Sequence, residues 1–486
     1  MTQLCTSKKH APVSLGRVLV LGLGKSGKAV STYCANLLGS RVSALTVAAG
    51  ASNPDAREFA EGLERAGATV LFETYEFDEA FDVCIASPGI SEFSDFYQAA
   101  KSVAPEVISE VEFAWRESAA DSTWVAITGT NGKTTTSSLA AHLLCSAGMN
   151  AAAVGNIGDT CIEAVAAGNT QCYVAEVSSY QLASTRFFKP DVAVLLNITP
   201  DHIKWHKSMD AYCAAKRRVY ANCAEGCTVV LDATNDIVRE YYKELRSAQG
   251  ADGCIVVPLG TSKGLRTSMI ETCGAASAAY VNDGMLTANI NGNGHQLVCE
   301  SELSIKGEHN ASNALAAATC ALALGCSDSQ VREGLRSFAP LEHRIEPCGT
   351  VAGVRCFNDS KATNVDATLK ALAAFGEERP VVLLGGDDKG TSLDELVAAA
   401  EEHCKAVVCF GAAGPRFFEA FAESELPHVS AGALRDALET GLSLADSGEI
   451  VILSPACASF DEFTCFEERG DVFKGYVESL AQERGR

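Results

Sequence analysis

The chain has 486 residues, of which 47% are hydrophobic, so it can bury more than one core, because single cores stop growing near roughly 250–300 residues. Its 39 Lys and Arg residues against 61 Asp and Glu residues give a net charge of −22. This charge disfavours nucleic-acid and anionic-membrane surfaces, since both need clustered positive charge. The composition therefore predicts a multidomain protein that binds neither nucleic acid nor membrane.

Twenty cysteines are scattered along the chain without a C-x-x-C pair, which indicates reduced, mostly buried side chains in a cytosolic protein. Cys223 and Cys227 come nearest to a metal-binding pair, but no second pair or histidine completes a zinc site around them. The polar N-terminus lacks the apolar run of a signal peptide, and no stretch reaches the ~18 apolar residues of a membrane span. We therefore expect a cytoplasmic protein.

Short β-branched runs followed by alanine-rich helical segments recur along the chain, and this alternation predicts parallel α/β sheets. The predicted strands are Arg17–Leu21, Trp124–Thr128, Tyr173–Val177, Val192–Ile198, Pro380–Leu384, Ala406–Phe410 and Ile450–Leu453. Three blocks separate, which we predict as domains at residues 1–119, 120–340 and 341–486.

Local patterns support these boundaries. The first block closes near a charged helix at Glu110–Glu117, and the second contains an alanine-rich helix at Asn310–Leu324. Within the second block, residues 249–305 are rich in Gly, Asn, Thr and Ser, with alternating segments such as Met285–Ile290. We expect antiparallel strands there, at an edge of the central sheet.

The first glycine loop follows the first predicted strand, where Gly22, Gly24 and Gly27 spell G-x-G-x-x-G. A dinucleotide-dependent oxidoreductase would need an acidic residue about 20 positions on. Residues 41–50 contain no acid. The pattern therefore favours a loop that holds the diphosphate of another nucleotide.

A second glycine loop follows Trp124–Thr128 and precedes a predicted helix. Backbone N–H groups at such a turn bind phosphate, while Lys133 supplies positive charge and Thr134 can bind Mg²⁺. The usual phosphate-loop spacing would need glycine in place of Ile127, so this loop is a variant. The candidate ATP-binding residues here are Gly129, Thr130, Asn131, Gly132, Lys133, Thr134 and Thr135.

Three further polar residues follow or end predicted strands: Asn156, Glu176 and His202. The carboxyl ends of parallel strands meet at one edge of the sheet, where open α/β sheets bind ligands. Mg²⁺ prefers oxygen ligands, so Glu176 together with Thr134 suits it. Taken alone, His202 is better explained as an ordinary loop histidine, and Lys216 in AAKRRVY as part of a solvated helix face.

The strings TGTNGKT and NIT-x-DH resemble the Mur ligase family of ATP-dependent amide ligases. The resemblance implies a P-loop ATPase-like central domain between two Rossmann-like domains. It also implies an acyl-phosphate intermediate, ATP and two Mg²⁺ sites. Lys133, His202 and Lys216 would be catalytic, with His202 as a second-metal ligand and Lys216 carbamylated by carbon dioxide. The metal ligands would be Thr134, Glu176, His202 and carbamylated Lys216.

Further strings extend this resemblance over about residues 18–476. GEHNASN would supply His309, Asn310 and Asn313 for the adenine side, LEHRIEP would place Arg344 near the phosphates, and NDSKATN would bring Asp359 to the nucleotide. The alternative for Arg344 is an exposed interdomain ion pair, worth at most about 1 kcal/mol, which the motif context disfavours.

LGLGKSG, NDSKATN and SPACASFDEF are similar to the branch of the family that adds D-glutamate to UDP-N-acetylmuramoyl-L-alanine in peptidoglycan synthesis. The implied D-glutamate-binding residues are Thr363, Lys389, Ser459, Phe460 and Phe466. The implied UDP-substrate-binding residues are Gly22, Gly24, Lys25, Ser26, Gly27, Ser87, Pro88, Gly89 and Asn156. We expect a monomer. The alternatives are another Mur-type or a folylpolyglutamate synthetase-like ligase, although the latter lacks LGLGKSG and SPACAS.

One stretch departs from the resemblance. Relatives end the second strand of the first domain with an aspartate that reads uracil, and the stretch Val42–Thr46 places Ala44 at that position. We therefore expect uracil to be read by backbone groups and by Ser43 or Thr46.

Overall fold

The computed structural model describes residues 3–248, 253–260, 277–305, 307–339, 342–388 and 390–484. The chain divides into two compact units, Met1–Glu302 with Ser312–Ser337, and Leu303–Ala311 with Phe338–Arg486. The first unit contains two sheets and the second contains one. The predicted α/β class is confirmed, whereas the domain boundaries at residues 119, 120, 340 and 341 stay predictions.

The first sheet is wholly parallel, in the order β3-β2-β1-β4-β5. Its elements are β1 (Gly16–Leu21), α1 (Lys25–Ala35), β2 (Val42–Ala49), α2 (Pro54–Arg65), β3 (Thr69–Phe72), β4 (Val83–Ala86), α3 (Asp95–Val103), β5 (Val107–Ser109) and α4 (Glu110–Glu117). Val18 to Leu21 are fully buried, as in strands covered on both faces. The strand order reverses at β1, which places a ligand crevice beyond the carboxyl ends of β1 and β4.

The prediction that Ala44 lies at the carboxyl end of the second strand is wrong. β2 continues to Ala49, and Ala44 pairs with Arg17 near the start of β1, whereas Ala48 pairs with Leu21 at its end. Ser43 also lies toward the amino end of β2, and Thr46 pairs with Leu19 in mid-strand. None of the three therefore lies at the edge where a nucleotide would bind.

The second sheet has the order β14-β13-β12-β11-β10-β9-β6-β8-β7. Its strands are β6 (Thr123–Thr128), β7 (Ala151–Gly155), β8 (Cys172–Glu176), β9 (Val192–Leu195), β10 (Thr228–Asp232), β11 (Ile255–Gly260), β12 (Ala278–Asn282), β13 (Met285–Ile290) and β14 (Asn293–Cys299). The pairs from β7 to β12 are parallel, and β12 to β14 are antiparallel. The predicted antiparallel edge is thus confirmed for β12 to β14. It is wrong for β11, which lies in the same predicted range but pairs in parallel with β10 and β12; residues 249–252 and 261–276 lie outside the described residues.

The helices of this region carry much of the site. They are α5 (Lys133–Ser146), α6 (Cys161–Ala167), α7 (Ser179–Ala183), α8 (Ile203–His206), α9 (Met209–Arg217), α10 (Asp236–Ala248), α11 (Glu308–Ala323) and α12 (Asp328–Ser337). A short 3₁₀ turn, Arg218–Tyr220, extends α9, and another spans Glu300–Glu302. Residues of α11 belong to both units, since the division falls after Ala311.

The third sheet has the order β15-β16-β20-β17-β18-β19 and is parallel except for β15. Its elements are β15 (Glu346–Val351), β16 (Val354–Asn358), α13 (Val365–Ala374), β17 (Val381–Gly385), α14 (Asp394–His403), β18 (Ala406–Phe410), α15 (Gly414–Ala420), β19 (His428–Ser430), α16 (Leu434–Leu444), β20 (Ile450–Leu453) and α17 (Phe466–Arg484), with a 3₁₀ turn at Gly376–Glu378. Apolar side chains cover both faces of this sheet.

All cysteines in the described ranges are free thiols, and most are buried, as predicted. Over the same ranges, no helix combines the length and apolar character that crossing a membrane requires.

Candidate functional site

The phosphate loop joins β6 to α5 in a conformation that needs glycine. Gly132 has a φ of 84°, and a Cβ there would lie 2.5 Å from Asn313 Oδ1. Helix α5 begins at Lys133, and its cap, Gly132, supplies no side-chain acceptor; the first turn also contains no acid. The first N–H groups of α5 are therefore available to an anion, which the helix dipole also favours.

Side chains from three other segments fix this loop: Asn197 beyond β9, Tyr212 in α9 and Asn313 in α11. Asn197, just past β9, accepts from the Asn131 N–H at 2.8 Å and donates Nδ2 to the Asn131 carbonyl at 3.1 Å. Thr130 Oγ1 lies 2.8 Å from the Tyr212 hydroxyl. Asn313 Oδ1 accepts from Thr136 Oγ1 at 3.2 Å, so the predicted Asn313 does lie at the loop. Asn197 and Tyr212 were not predicted, although Asn197 opens the NIT-x-DH string.

Two lysines converge on one carbonyl of the loop. Lys133 Nζ donates to the carbonyls of Gly129 and Thr130 at 3.0 and 2.9 Å, and Lys216 Nζ donates to the Gly129 carbonyl at 2.7 Å. Lys216 is only 2% exposed, so the alternative of a solvated helix face is wrong. Burial, and then the charge of Lys133, lowers the pKa of Lys216 well below its usual value. A neutral amine at this position is therefore favoured.

Glu176 ends β8 beside the loop strand, opposite Ile127. Its carboxylate is 2% exposed, and Oε1 accepts from Asn156 Nδ2 at 2.8 Å. Oε2 is buried and has no hydrogen-bond partner. An unsatisfied buried carboxylate oxygen is costly unless a ligand completes it. The oxygen thus fits a Mg²⁺ site, with the half-buried Thr134 at the start of α5 as a second oxygen ligand.

His202 lies beyond β9 in the left-handed region, with a φ of 56°. Its backbone N–H donates to Asp201 Oδ1 at 2.8 Å, and its Nε2 lies 3.4 Å from Asp201 Oδ2. The ring stands 4.8 Å from that of Tyr180, and its side chain is 38% exposed. No group of three or more His, Cys, Asp or Glu side chains within the described residues is arranged to hold a metal. A second metal here would therefore need an additional ligand, such as a modified Lys216.

His206 is a buried neighbour that was not predicted. Its Nε2 lies 2.9 Å from Ser179 Oγ, and its ring is 5.3 Å from that of Tyr212. Burial, followed by the charges of His202 and Lys216, lowers the pKa of His206 to about 4. The imidazole is therefore neutral at pH 7 and packs beneath the site as an uncharged ring.

The first glycine loop is packed tightly between β1 and β4. A Cβ on Gly27 would lie 2.0 Å from the Gly22 carbonyl oxygen, and one on Gly22, whose φ is 91°, would lie 2.8 Å from Ser87 Oγ. Ser87 Oγ is buried without a partner. Helix α1 is capped by Gly24 without a side-chain acceptor and has no acid in its first turn. These features suit an anion, as at the phosphate loop.

The remaining residues predicted at this loop lie nearby. Lys25 Nζ donates to the Gly158 carbonyl in the turn after β7. Ser26 is the second residue of α1, and Pro88 and Gly89 form the turn in which Ile90 N–H donates to the Ser87 carbonyl at 3.0 Å. The first loop thus joins groups from both sheets of the first unit.

In the second unit, polar side chains gather at the carboxyl ends of β16 and β20. Asp359 Oδ2 accepts from Ser454 Oγ at 2.7 Å, and Oδ1 accepts from the Ile345 N–H at 3.3 Å. Burial raises the pKa of Asp359 to about 7. Arg469, buried and not predicted, donates to Ser360 Oγ at 2.9 Å and to the Ala458 and Cys457 carbonyls. It thereby fixes the SPACAS segment.

The predicted D-glutamate residues occupy this region with varied exposure. Ser459 is buried, Thr363 and Phe466 are half-buried, and Phe460 is 70% exposed. Lys361 Nζ lies 3.7 Å from the centre of the Phe466 ring. Lys389 lies outside the described residues.

The predicted nucleotide residues of this unit include His309, Asn310 and Arg344. Burial, and then the charges of Lys370 and Arg344, lowers the pKa of His309 to about 4. Asn310 lies in the first turn of α11, where its N–H donates to the Gly307 carbonyl at 2.9 Å. The positive charge of Arg344 thus helps to keep the His309 imidazole neutral.

Family models and curated relatives match most of the chain. The Mur ligase middle domain matches residues 127–321, and the Mur ligase, glutamate ligase domain matches residues 343–457. The chain is 36% identical to the UDP-N-acetylmuramoylalanine--D-glutamate ligase of Thermoanaerobacter pseudethanolicus, covering 96% of this chain and 98% of that protein. The enzymes of the same name from Pelotomaculum thermopropionicum and Streptomyces avermitilis are 38% and 37% identical, over 96% and 95% of this chain and 98% of each relative.

Solved structures share the fold at lower identity. A pseudomurein peptide ligase type C from Methanothermus fervidus aligns with a TM-score of 0.55 and 17% identity, covering 96% of this chain and 99% of that one. A UDP-N-acetylmuramate-alanine ligase from Thermotoga maritima aligns with a TM-score of 0.53 and 17% identity, over 95% and 99%. These likenesses establish the fold.

Proposed function

Because the chain belongs to the Mur ligase family, we propose that it joins D-glutamate to UDP-N-acetylmuramoyl-L-alanine, with conversion of ATP to ADP and phosphate. The observation that carries this proposal is the convergence of Lys133 and Lys216 on the Gly129 carbonyl, at an uncapped helix start beside the unsatisfied carboxylate of Glu176. Such a site collects positive charge where a phosphoryl group would be transferred.

The reaction takes two steps. A carboxylate oxygen of the L-alanine residue attacks the γ-phosphorus of ATP, so that an oxygen–phosphorus bond forms and ADP leaves. The amine of D-glutamate then attacks the acyl carbon, the amide bond forms, and phosphate leaves. The α5 N–H groups and the Lys133 ammonium stabilise negative charge on the phosphoryl oxygens during the first step.

Mg²⁺ is the metal that the donor set suits. Glu176 Oε2 and the Thr134 hydroxyl would hold one ion, and His202 with a carbamate on Lys216 would hold a second. Bound there, Mg²⁺ supplies positive charge that neutralises the phosphoryl group. Asn156 Nδ2 donates to the other oxygen of Glu176, Oε1, which would leave Oε2 to hold the ion.

Carbamylation of Lys216 is part of the proposal. Carbon dioxide is attacked by a neutral amine, and free lysine is almost wholly protonated at pH 7, with a pKa near ~10.4. Burial and the neighbouring Lys133 favour the neutral form of Lys216. The attack forms a carbon–nitrogen bond, releases one proton, and converts a buried cation into an anionic oxygen ligand.

The other substrates are assigned by the predicted residues. The Gly22–Gly27 loop, with Ser87 to Gly89 and Asn156, would bind the UDP portion. His309, Asn310, Asn313, Arg344 and Asp359 would bind the nucleotide of ATP, and Thr363, Lys389, Ser459, Phe460 and Phe466 would bind D-glutamate. We further propose a cytoplasmic monomer that acts in peptidoglycan precursor synthesis.

Product analysis tests the proposal. The purified chain is incubated with ATP, Mg²⁺, UDP-N-acetylmuramoyl-L-alanine and one of D-glutamate, L-glutamate or L-alanine, and released nucleotide is quantified. We expect ADP and phosphate with D-glutamate only. AMP and pyrophosphate would contradict the acyl-phosphate step, while ADP release with another amino acid would contradict the substrate alone.

A further inference from the structure

Helix α4 contains three glutamates, although every one of its residues is buried. Two of these glutamates pair with arginines: Arg116 Nε donates to Glu112 Oε1 at 2.9 Å, and Arg41 Nη2 donates to Glu117 Oε1 at 2.8 Å. The third, Glu110, is 1% exposed and is bonded instead to the backbone of α6. A buried carboxyl group that lacks a cationic partner needs another explanation.

Glu110 accepts a hydrogen bond at the start of α6. Its Oε1 accepts from the Ile162 N–H at 2.7 Å, across 52 positions of the chain. Ile162 is the second residue of α6, where an N–H has no partner within the helix. The next N–H, of Glu163, donates to Thr160 Oγ1 at 3.3 Å. Glu110 therefore supplies Ile162 with an acceptor from a different helix.

The turn that leads into α6 contacts both glycine-loop sites. This turn comprises residues 155–160, between β7 and α6. Its Gly158 carbonyl accepts from Lys25 Nζ at the first loop, and its Asn156 Nδ2 donates to Glu176 Oε1 at 2.8 Å. Because the turn runs directly into α6, the position of this helix determines where the Gly158 carbonyl and the Asn156 amide lie.

We propose that Glu110 is a positioning residue for the UDP substrate, which holds the first turn of α6 and thereby fixes residues 155–160 beside Lys25. The inference rests on the proposed function, in which Lys25 and Asn156 bind that substrate. Ile162 is fully buried, and a buried N–H that loses its acceptor is costly. Without Glu110, the start of α6 must therefore move or open to water, and the turn must move with it.

The protonation of Glu110 identifies a variant that keeps this contact. Burial raises the pKa of Glu110 to about 7, and Glu163 raises it further, while the bond from Ile162 and the charge of Lys25 lower it. Burial also raises the pKa of the facing Cys161 thiol, which stays neutral. Below pH 7 the carboxyl group is mostly neutral, as an amide is. Glu110→Gln keeps an acceptor for Ile162, and its NH₂ group replaces Oε2, which is buried and has no hydrogen-bond partner among the described residues.

Hydrogen exchange measured by mass spectrometry tests the contact without any substrate. The full chain and its variants are compared below pH 7 in peptic peptides that cover residues 155–168. We expect faster exchange there in Glu110→Ala and Glu110→Met and parental exchange in Glu110→Gln. Methionine fills similar space without an acceptor, so it removes the bond with less loss of packing. Parental exchange in Glu110→Met would overturn the proposal.

Glu117→Gln is the matched control, because it changes a buried glutamate of the same helix that pairs with Arg41 instead. It should lower the melting temperature and leave exchange in residues 155–168 unchanged. Faster exchange of this segment in Glu117→Gln, equal to that in Glu110→Met, would overturn the proposal, since any loss of stability in α4 would then have the same effect.

Steady-state kinetics test the consequence for binding. Glu110→Met should raise KM for UDP-N-acetylmuramoyl-L-alanine by about tenfold, the equivalent of one hydrogen bond, with little change in KM for ATP. Glu110→Gln should restore the parental KM. A loss of kcat at unchanged KM in Glu110→Met would overturn the positioning role. If the parent chain releases no ADP with D-glutamate, the proposed function fails, and hydrogen exchange still decides whether Glu110 holds α6.

Discussion

The two glycine loops of the first unit have the same backbone arrangement but different surroundings. Each follows a central parallel strand, and each precedes a helix whose glycine cap offers no side-chain acceptor. Around the phosphate loop, two lysines and an unsatisfied carboxylate converge on Gly129 and its neighbours. Around the first loop, Lys25 reaches away to Gly158, and the contacts are steric, between Gly22, Gly27 and Ser87.

This difference indicates that the same anion-binding turn can serve chemistry or binding. An uncapped helix start attracts a phosphate in either case. To accelerate a reaction, charged groups must be held beside the charge that develops in the transition state. Of the two loops, the phosphate loop is the one surrounded by such groups. Variants at the phosphate loop should therefore act on kcat, whereas variants at the first loop should act on KM and stability.

The largest effect is expected at Lys216. Lys216→Ala should abolish turnover, because it removes both the amine on the Gly129 carbonyl and the proposed carbamate ligand. Acetate should restore part of the activity by supplying a carboxylate in the vacated space. Arg217→Ala is the matched control. Arg217 follows Lys216 in α9 but its side chain is exposed, and it pairs with Glu244 of α10. Full activity of Lys216→Ala in carbon dioxide-free buffer would contradict the proposed role.

Alanine variants of Lys133 and Lys25 allow the two loops to be compared directly. Lys133→Ala should lower kcat at saturating ATP by at least on the order of 10², as expected when one preorganised donor is removed from a developing charge. Lys25→Ala should raise KM for the UDP substrate and change kcat little. Steady-state kinetics with each substrate varied in turn separate the two outcomes. Equal losses of kcat in both variants would contradict the division between chemistry and binding.

Much of the fold could be predicted from local patterns. Strands such as Ala406–Phe410 and Ile450–Leu453 are continuous apolar runs, and their bounds were predicted as they stand. The predicted strand Val192–Ile198 ends at Leu195 instead, because the chain turns there to let Asn197 bond to Asn131. That contact depends on tertiary pairing, which local sequence does not carry.

The errors at the site have the same origin. The family resemblance aligns Ala44 with a strand end, whereas pairing of Ala48 with Leu21 carries β2 on to Ala49. The burial of Lys216 could not be predicted from a polar string that includes two arginines. Tyr212 and Arg469 were missed because their roles depend on partners distant in sequence, Thr130 and Ser360.

Alanine variants of Gly27 and Gly24 test whether close packing is what requires glycine in the first loop. Gly27→Ala places a methyl group against the Gly22 carbonyl, and overpacking of this kind typically costs about 1–3 kcal/mol. A Cβ on Gly24 meets nothing within 4 Å, so Gly24→Ala should change the free energy of unfolding by less than about 0.5 kcal/mol. Urea unfolding of both variants measures this difference. Equal destabilisation would show that packing is not what requires glycine at position 27.

The smallest effect is expected for Ser43→Ala and Thr46→Val, which should change kcat/KM for UDP-N-acetylmuramoyl-L-alanine by less than about twofold. Ser43 lies six residues before the end of β2, or ~20 Å at ~3.3 Å per residue, and Thr46 lies in mid-strand. Nucleotide contacts in such folds lie beyond the carboxyl ends of the strands. A tenfold loss in either variant would contradict this placement.

The matched measurement is kcat/KM for the same substrate without its nucleotide. Residues 42–54 contain no acid, so the position beyond Ala49 lacks the charged uracil acceptor that the family resemblance implies. A hydrogen bond to a charged group contributes roughly 1.5–3 kcal/mol, and its absence should weaken uracil discrimination by one to two decades. The proposed diphosphate contacts at the Gly22–Gly27 loop do not depend on this acid, so the UDP substrate should still be preferred. Equal values would show that the first loop does not bind a nucleotide, while the chemistry at Lys133 and Lys216 would be unaffected.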